Sequence, residues 1–557
     1  MEADQGCRMR TLGIYLGYSI DQGIQNEGLG RLLGFIINGL RSQPNTRVTV
    51  LCPYWLRPSV ESLLEDHRIP LECVKIVTSP KPFAITLKEF FHACKLRLLR
   101  LTQSSNRSSE FENVNKRLTL ERRLRYRLRN RWRELRTNPV PKHRWRNLTR
   151  FLVQLAISVV AIVIALPLLL FALVLKAVPR KLRIKIVMVS NQIARRVQKL
   201  FFRRPNESKH RKTLRALVAM ADLQSDIDAW LIPTPFWPEA QEIRERKVTV
   251  CPDVVLHEFS TQFANPSIDG IYNRILKSLQ KADHLITYSD YVKNKHLIET
   301  VGIKRSRVSV VRHGKVELSK YLCVENKKYL PAVSREIALE LLRGFRIGSM
   351  DANHFWRNVS FDNNPFVFYS SQYRHHKNIL ALVKAVEMVN RQLGIGIRLV
   401  LTCNMHASER LSAYIANHGL ESIVLCAHGI PSNFLAAFNA LAVLSVNPSL
   451  FEGGFPFTFC EAFSVGTPSI MSDIPVVREL VKNQELCDAM LFDPYNYESI
   501  ANRIVWGIEN REQLLCLQQP LFDAMPDWRD VAGQYLEVAL SATEPKLIVP
   551  KRGSTTQ

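Results

Sequence analysis

The sequence predicts an α/β protein with two doubly wound parallel sheets that face one another across a cleft, and a helical insertion in the first. Three observations carry this. Short apolar runs alternate with amphipathic helical stretches along both halves of the chain, the pattern of strand–helix–strand units. The alternation lapses twice, at about 85–212 and at about 320–360. The first lapse also holds the charge: of 76 lysines and arginines, 34 fall in 81–220 together with only 6 of the 50 acids. A nearly neutral body therefore carries one strongly basic segment inside a net charge of +26.

Taken in order, "TLGIYLGY" (11–18) reads as a buried strand. "GLGRLLGFIINGLRSQ" reads as a glycine-rich turn opening a helix, and "RVTVLCPYW" as the next strand. After the basic segment, "AWLIPTP" (229–235), "KVTVCPDVV" (247–255), "HLITYS" (284–289) and "RVSVVRHG" (307–314) are strand-like, with helical stretches between them. Residues 320–360 are irregular and polar, as a linker would be. A second run follows: "FVFYSS" (366–371), "IRLVLTC" (397–403), "SIVLCA" (422–427), "AVLSVNPS" (442–449) and "TPSIMSD" (467–473). The expected domains are 8–84 and 213–325 for the first Rossmann-like domain, 85–212 for its insertion, 326–540 for the second Rossmann-like domain, and 541–557 for a flexible tail. In such folds ligands sit beyond the carboxyl ends of the strands.

The 11 cysteines are odd in number and scattered, with no CxxC pair, which fits free thiols in a reducing compartment. The first ten residues have no apolar stretch of the secretory kind. The arginine-rich "KRLTLERRLRYRLRNRWRELR" (116–136) has the composition of an RNA-binding arm. An uncharged run of 25 residues, 151–175, follows closely, so a membrane is the expected partner and nucleic acid is not. As a helix that run would be about 37 Å long, against a hydrocarbon core of about 30 Å. Both flanks are basic, Pro167 interrupts the run, and a single crossing would separate the two halves of the fold. The expectation is therefore a segment that dips into the membrane and returns. Both domains would lie on the cytoplasmic face, and the basic helices on anionic lipid.

The residues suited to chemistry lie after strands. "LFEGGFPFTFCEAFSVGTPSI" (450–470) keeps two acids, Glu452 and Glu461, in an apolar setting. Gly453 and Gly454 let the backbone turn tightly and approach a ligand. A carboxylate at a helix start accepts two hydrogen bonds from a vicinal diol such as a ribose, or simply complements the helix dipole. In "SSQYRHHKNIL" (370–380), Arg374 and Lys377 stand at a helix start, where a cation opposes the macrodipole unless an anion is bound. Adjacent histidines in that turn lack convergent metal partners, and "DID" (226–228) has no supporting acids, so no metal site is expected. Lys377 and Glu461 are both expected on the cleft surface rather than in a core.

The combination of strand, "RHHKN" and helix, followed about 75 residues later by "NPSLFEGGFPFTFCEAFSVGTPSI", resembles the carboxyl domain of family 4 retaining glycosyltransferases with the GT-B fold. The resemblance covers 225–540 well, the first 60 residues moderately and 85–212 not at all. It implies that Arg374 and Lys377 neutralise a donor diphosphate, that Glu461 holds the nucleotide ribose, and that Glu452 lies near the transferred sugar. It implies further that the N–H groups of Gly453 and Gly454 meet sugar and phosphate. His257, in "CPDVVLHEF", would lie near the reacting centre, and Gly28 and Gly30 in a first loop that closes on the phosphates. The family spacing places seven residues between the glutamates; here eight intervene.

The implied activity is hexosyl transfer, with mannosyl transfer one option, from a nucleotide-diphosphate donor to a lipid-linked or glycan acceptor in polysaccharide or glycolipid biosynthesis. No cofactor is expected, because Arg374, Lys377 and helix dipoles supply the leaving-group stabilisation. The rivals are a sugar-nucleotide epimerase, which has no need of a basic apolar insertion, and a catalytically silent membrane-bound scaffold or binding subunit. An intact set of Arg374, Lys377 and Glu461 argues against the latter.

Overall fold

The computed structural model describes residues 9–20, 23–24, 28–80, 207–259, 266–323, 330–344 and 359–542. Most of the expected insertion, including 151–175, lies outside the described residues, as does the tail at 543–557. No helix among the described residues is long and apolar enough to cross a membrane.

The first lobe is a seven-stranded sheet. Its strands are β1 (Arg10–Tyr15), β2 (Thr46–Cys52), β3 (Val74–Thr78), β4 (Ala229–Ile232), β5 (Lys247–Val250), β6 (His284–Thr287) and β7 (Val308–Val310). They run in the order β3-β2-β1-β4-β5-β6-β7. The second lobe is six-stranded: β8 (Phe366–Tyr369), β9 (Arg398–Leu401), β10 (Val424–Cys426), β11 (Leu444–Asn447), β12 (Ser469–Ser472) and β13 (Leu491–Phe492). Their order is β10-β9-β8-β11-β12-β13. Every pairing is parallel. Both are doubly wound Rossmann-like sheets as expected. Strand order reverses between β1 and β4 in one lobe and between β8 and β11 in the other, which is where such sheets open a crevice.

The short apolar runs form strands because helices cover both faces, leaving no solvent side to impose alternation. Leu12, Ile14, Val50, Trp230 and Leu231 are fully buried in one core, and Val367, Leu399, Leu401, Val446 and Ile470 in the other. Two strands lie beyond the sequence expectation. β3 is a half-exposed edge strand with Lys75 pointing outward, and β13 has only two residues.

Two further differences concern the second half. The stretch read as a linker holds a helix, Pro331–Arg343, whose Ser334, Ala338 and Leu342 are buried at helical spacing. It packs with Leu435 and Phe438 of the helix Ser432–Leu441. Its mixed, charged sequence hid a narrow apolar stripe. The last helix, Trp528–Ser541, amends the range 326–540: Val531, Ala532, Tyr535, Leu536 and Ala539 belong to the first lobe's core. Gln43 Nε2 donates to Arg529 O at 2.6 Å and Arg246 Nη1 to Leu540 O at 2.8 Å, holding that helix on the first lobe.

Candidate active site

β8 leads into a 3-10 turn, His375–Lys377, which Arg374 precedes. Asn378 follows at φ +52°, and the helix Ile379–Arg391 begins after it. Asparagine tolerates this left-handed conformation better than most residues, and its Nδ2 donates to Pro494 O at 2.7 Å. Two bonds tie β8 and this turn to the loop after β11. The Tyr369 hydroxyl and Ser449 Oγ are 2.9 Å apart, and Leu450 N–H donates to His376 O at 2.7 Å. Lys377 Nζ consequently donates to Glu452 Oε1 at 2.6 Å. The two side chains are 20% and 15% exposed. Burial opposes both charges, but the pairing prevails: Glu452 raises the pKa of Lys377, and Lys377 lowers that of Glu452. Beside them His376 is held neutral by burial, its pKa lowered to about 4, and its Nδ1 is buried with no hydrogen-bond partner among the described residues.

The loop after β11 presses against the first lobe. A Cβ on Gly453 would lie 2.2 Å from the Pro252 carbonyl oxygen and 3.2 Å from Asp253 Cβ. One on Gly454 would lie 2.7 Å from Tyr288 Cβ and 2.9 Å from the His313 ring. Ser289 Oγ donates to Gly453 O at 2.9 Å. Neither glycine has positive φ. The doubled glycine therefore allows two lobes to touch, a reason that the local sequence could not supply.

On the first-lobe side, β5 runs into Cys251, Pro252 and Asp253. Asp253 Oδ1 accepts Val255 N–H at 3.0 Å and so starts the one-turn helix Val255–Glu258. Burial raises the Asp253 pKa; Lys377 pulls it down and Glu452 pushes it up, so this carboxyl shares an electrostatic neighbourhood with the pair opposite. The sequence reading missed Asp253, although "CPD" directly after a strand was the available signal. His257 lies on the same short helix but is exposed, and its ring makes no hydrogen bond to a described residue. Its neighbour Glu258 is anchored instead: Oε1 accepts from His296 Nε2 at 2.8 Å and from the Tyr291 hydroxyl at 2.9 Å. Buried His296 accepts Val254 N–H on Nδ1 at 3.3 Å and stacks on Phe451 of the second lobe, ring centres 5.3 Å apart.

Glu461 departs from expectation. It lies on the helix Phe457–Phe463 with 1% of its side chain exposed, so it is not a cleft-surface residue. Its Oε1 accepts from Arg31 Nη2, on the first-lobe helix Gly28–Arg41. One turn along both helices, Phe35 meets Phe457 edge to face. Arg31 was also missed, although it directly follows the glycine pair. Gly28 and Gly30 lie in the first turn of that helix rather than in a loop before it. A Cβ on Gly30 would lie 1.9 Å from Ile24 O, whereas one on Gly28 would meet nothing among the described residues. Arg374 is exposed, with Nη2 3.3 Å from Gln372 Oε1.

The structure thus brings together Lys377, Glu452, Gly453 and Gly454 with Asp253, sets Glu461 against Arg31, and leaves His257, Arg374 and Gly28 exposed. In the "DID" stretch, Asp226 pairs with Lys75 at 2.9 Å and Asp228 Oδ2 accepts Thr11 N–H at 2.7 Å. No group of three potential metal ligands occurs among the described residues.

Residues 350–518 match the family model described as glycosyl transferases group 1. No curated protein matches the chain. Among solved structures, Anabaena Alr3699/HepE in complex with UDP and glucose is 14% identical, with a TM-score of 0.52 over 96% of this chain and 100% of that one. The same Anabaena protein is known in complex with UDP-glucose, at 13% identity and a TM-score of 0.52 over 96% and 100%. A glycosyltransferase from Rickettsia africae ESF-5 is 12% identical, with a TM-score of 0.50 over 95% of this chain and 97% of that one. The chain is an α/β protein of two Rossmann-like domains with the GT-B architecture, and its second lobe carries the stretch that matches glycosyl transferases group 1.

Proposed function

We propose that the protein transfers a hexosyl group from a nucleoside-diphosphate donor to an acceptor hydroxyl, with retention at the anomeric carbon. The observation that carries this reading is the Lys377–Glu452 pair at the β8/β11 crevice, with Asp253 of the first lobe brought beside it. An ammonium has three donors; Glu452 takes one, leaving the others for a diphosphate. Arg374, exposed at the rim, adds charge. The bond from the anomeric carbon to the diphosphate oxygen breaks, and a bond to the acceptor oxygen forms. The acceptor's proton leaves on the departing diphosphate. Lys377 and Arg374 stabilise the leaving charge, and Glu452 and Asp253 lie where they favour the oxocarbenium-like centre and orient sugar hydroxyls. Glu461 is assigned to the ribose, Gly453 and Gly454 to the donor's sugar and phosphate, His257 to the acceptor side, and Gly28 and Gly30 to the phosphate-facing helix start.

The fold relative from Anabaena binds UDP and UDP-glucose, which makes UDP-hexoses the first donors to try, ahead of the mannosyl option. In this reading no metal participates. The acceptor is lipid-linked or a glycan, presented at the cytoplasmic face of a membrane that 151–175 and its basic flanks engage. Nucleotide release from a panel of nucleotide sugars, with and without acceptor and with EDTA, tests the proposal. Acceptor-dependent release that survives EDTA and yields the donor's own anomer supports it. Release unchanged by acceptor, or product of inverted configuration, contradicts it.

A further inference from the structure

We infer that Arg31 is a donor-site residue that shares Glu461 with the nucleotide ribose and so couples ribose recognition to the contact between the lobes. The inference rests on the donor reading given above. Arg31 stands in the first turn of its helix, where a cation opposes the macrodipole. A local structural role is therefore poorly motivated. Its partner lies 430 residues away in sequence, on the opposite lobe. The two side chains differ sharply in setting: Glu461 is 1% exposed and Arg31 35%. Arg31 thus reaches from a half-open position onto a buried carboxylate.

A buried carboxylate needs a counter-charge or a full set of hydrogen bonds. Among the described residues Arg31 is the one side chain that bonds to it. Arg31 engages Oε1, which leaves Oε2 to accept from a ribose hydroxyl. The contact is also oriented from behind. Phe35 and Phe457, one turn along each helix, pack edge to face, and Phe35 stacks on Trp528 with ring centres 5.0 Å apart. Two helices from two lobes therefore meet along two rungs, one ionic and one aromatic. A guanidinium in this place holds the acceptor oxygen of Glu461 in a fixed direction. It also adds positive charge next to the nucleotide. A ribose that binds Glu461 then strengthens the seam that Arg31 spans, and the seam in turn prepares the carboxylate for the ribose.

The test compares binding of UDP, GDP, ADP and CDP with binding of the 2′,3′-dideoxy form of whichever binds tightest. Four proteins are used: the parent, Glu461→Gln, Arg31→Met and Arg31→Lys, each checked for its thermal midpoint. A charge-assisted hydrogen bond corresponds to about ten- to a hundredfold in affinity, so the parent is expected to prefer the ribonucleotide by about tenfold or more. Glu461→Gln is expected to lose most of that preference, Arg31→Met to lose at least half of it on a logarithmic scale, and Arg31→Lys to keep an intermediate part. Loss in Glu461→Gln with full preference in both Arg31 variants overturns this inference alone and leaves an ordinary ion pair between lobes. A parent that binds none of the four diphosphates, or a Glu461→Gln protein that discriminates as the parent does, overturns the donor reading and this inference with it.

Discussion

The two sides of the crevice are built differently. On the second lobe the proposed site residues lie in two contiguous stretches, 370–380 and 450–470, each running off a strand end. On the first lobe the proposal adds single residues, Asp253 and Arg31, whose meaning comes only from what they face. Lys377 and Glu452 are bound to each other at 2.6 Å, so that half is a finished ion pair. Asp253 has a backbone N–H on one oxygen, and its carboxyl feels the charges of that pair. A chain that makes one half of a site within one lobe and the other by the approach of a second lobe reveals the first half in its sequence and conceals the second.

The largest expected effect breaks the finished half. Lys377→Ala removes a charge-assisted bond worth about 1.5–3 kcal/mol, and transfer should fall by about ten- to a hundredfold or more. Because Glu452 then loses its partner in a largely buried setting, a loss of thermal stability is expected as well. Lys377→Met with Glu452→Gln should recover the stability without recovering the activity. Recovery of both would mean that the pair is structural only.

A smaller effect separates glycines that the fold requires from one that it does not. Gly453→Ala places a methyl 2.2 Å from a backbone oxygen of the opposite lobe. Overpacking of this kind costs about 1–3 kcal/mol, and the seam beside the pair must open, so activity should fall with stability. Gly28→Ala meets nothing among the described residues. It should leave the folding midpoint unchanged or raise it, since alanine favours a helix over glycine by about 0.5–1 kcal/mol. Equal midpoints for the two variants, read by thermal denaturation, would show that the lobes do not meet at Gly453.

The smallest effect concerns Asp253 and pH. Burial holds its folded pKa above the unfolded value. The sign follows: its contribution to stability is present below the unfolded pKa of about 3.9 and is lost as pH rises through the elevated folded value. Asp253→Asn cannot ionise, so its thermal midpoint relative to the parent should rise with pH across that interval. The slope is at most about 1.4 kcal/mol per pH unit while the group titrates. A difference that is flat with pH would place Asp253 in solvent rather than against the pair.

These contrasts also explain what could be read from the chain beforehand. The eleven strands expected from apolar runs all form, because strands covered on both faces need no partner to be recognised. β3 escaped because Lys75 and a half-exposed face break its run, and the helix Pro331–Arg343 because its buried face is only Ser334, Ala338 and Leu342. Lys377, Glu452 and the glycine pair were legible as a motif. The reason for the glycines was not, since Pro252 and Tyr288 lie some 200 and 165 positions away. Glu461 is expected on the surface because a glutamate in sequence carries no mark of burial; the approach of Arg31 makes a buried position tenable. His257 is expected near the reacting centre on the family resemblance, and Asp253 receives no expected role. The fold sets the half-buried aspartate beside the pair and leaves the histidine exposed.

The most direct test of the whole account is the rate at which the purified full-length protein releases nucleoside diphosphate from UDP-hexoses and other nucleotide sugars, with Asp253→Asn and Glu452→Gln beside the parent. The account predicts acceptor-dependent turnover of one donor, reduced by about tenfold or more in each variant, so that both lobes are needed for a single reaction. Parental turnover in Asp253→Asn would leave the first lobe without its assigned part, and absence of turnover with every donor would contradict the site itself.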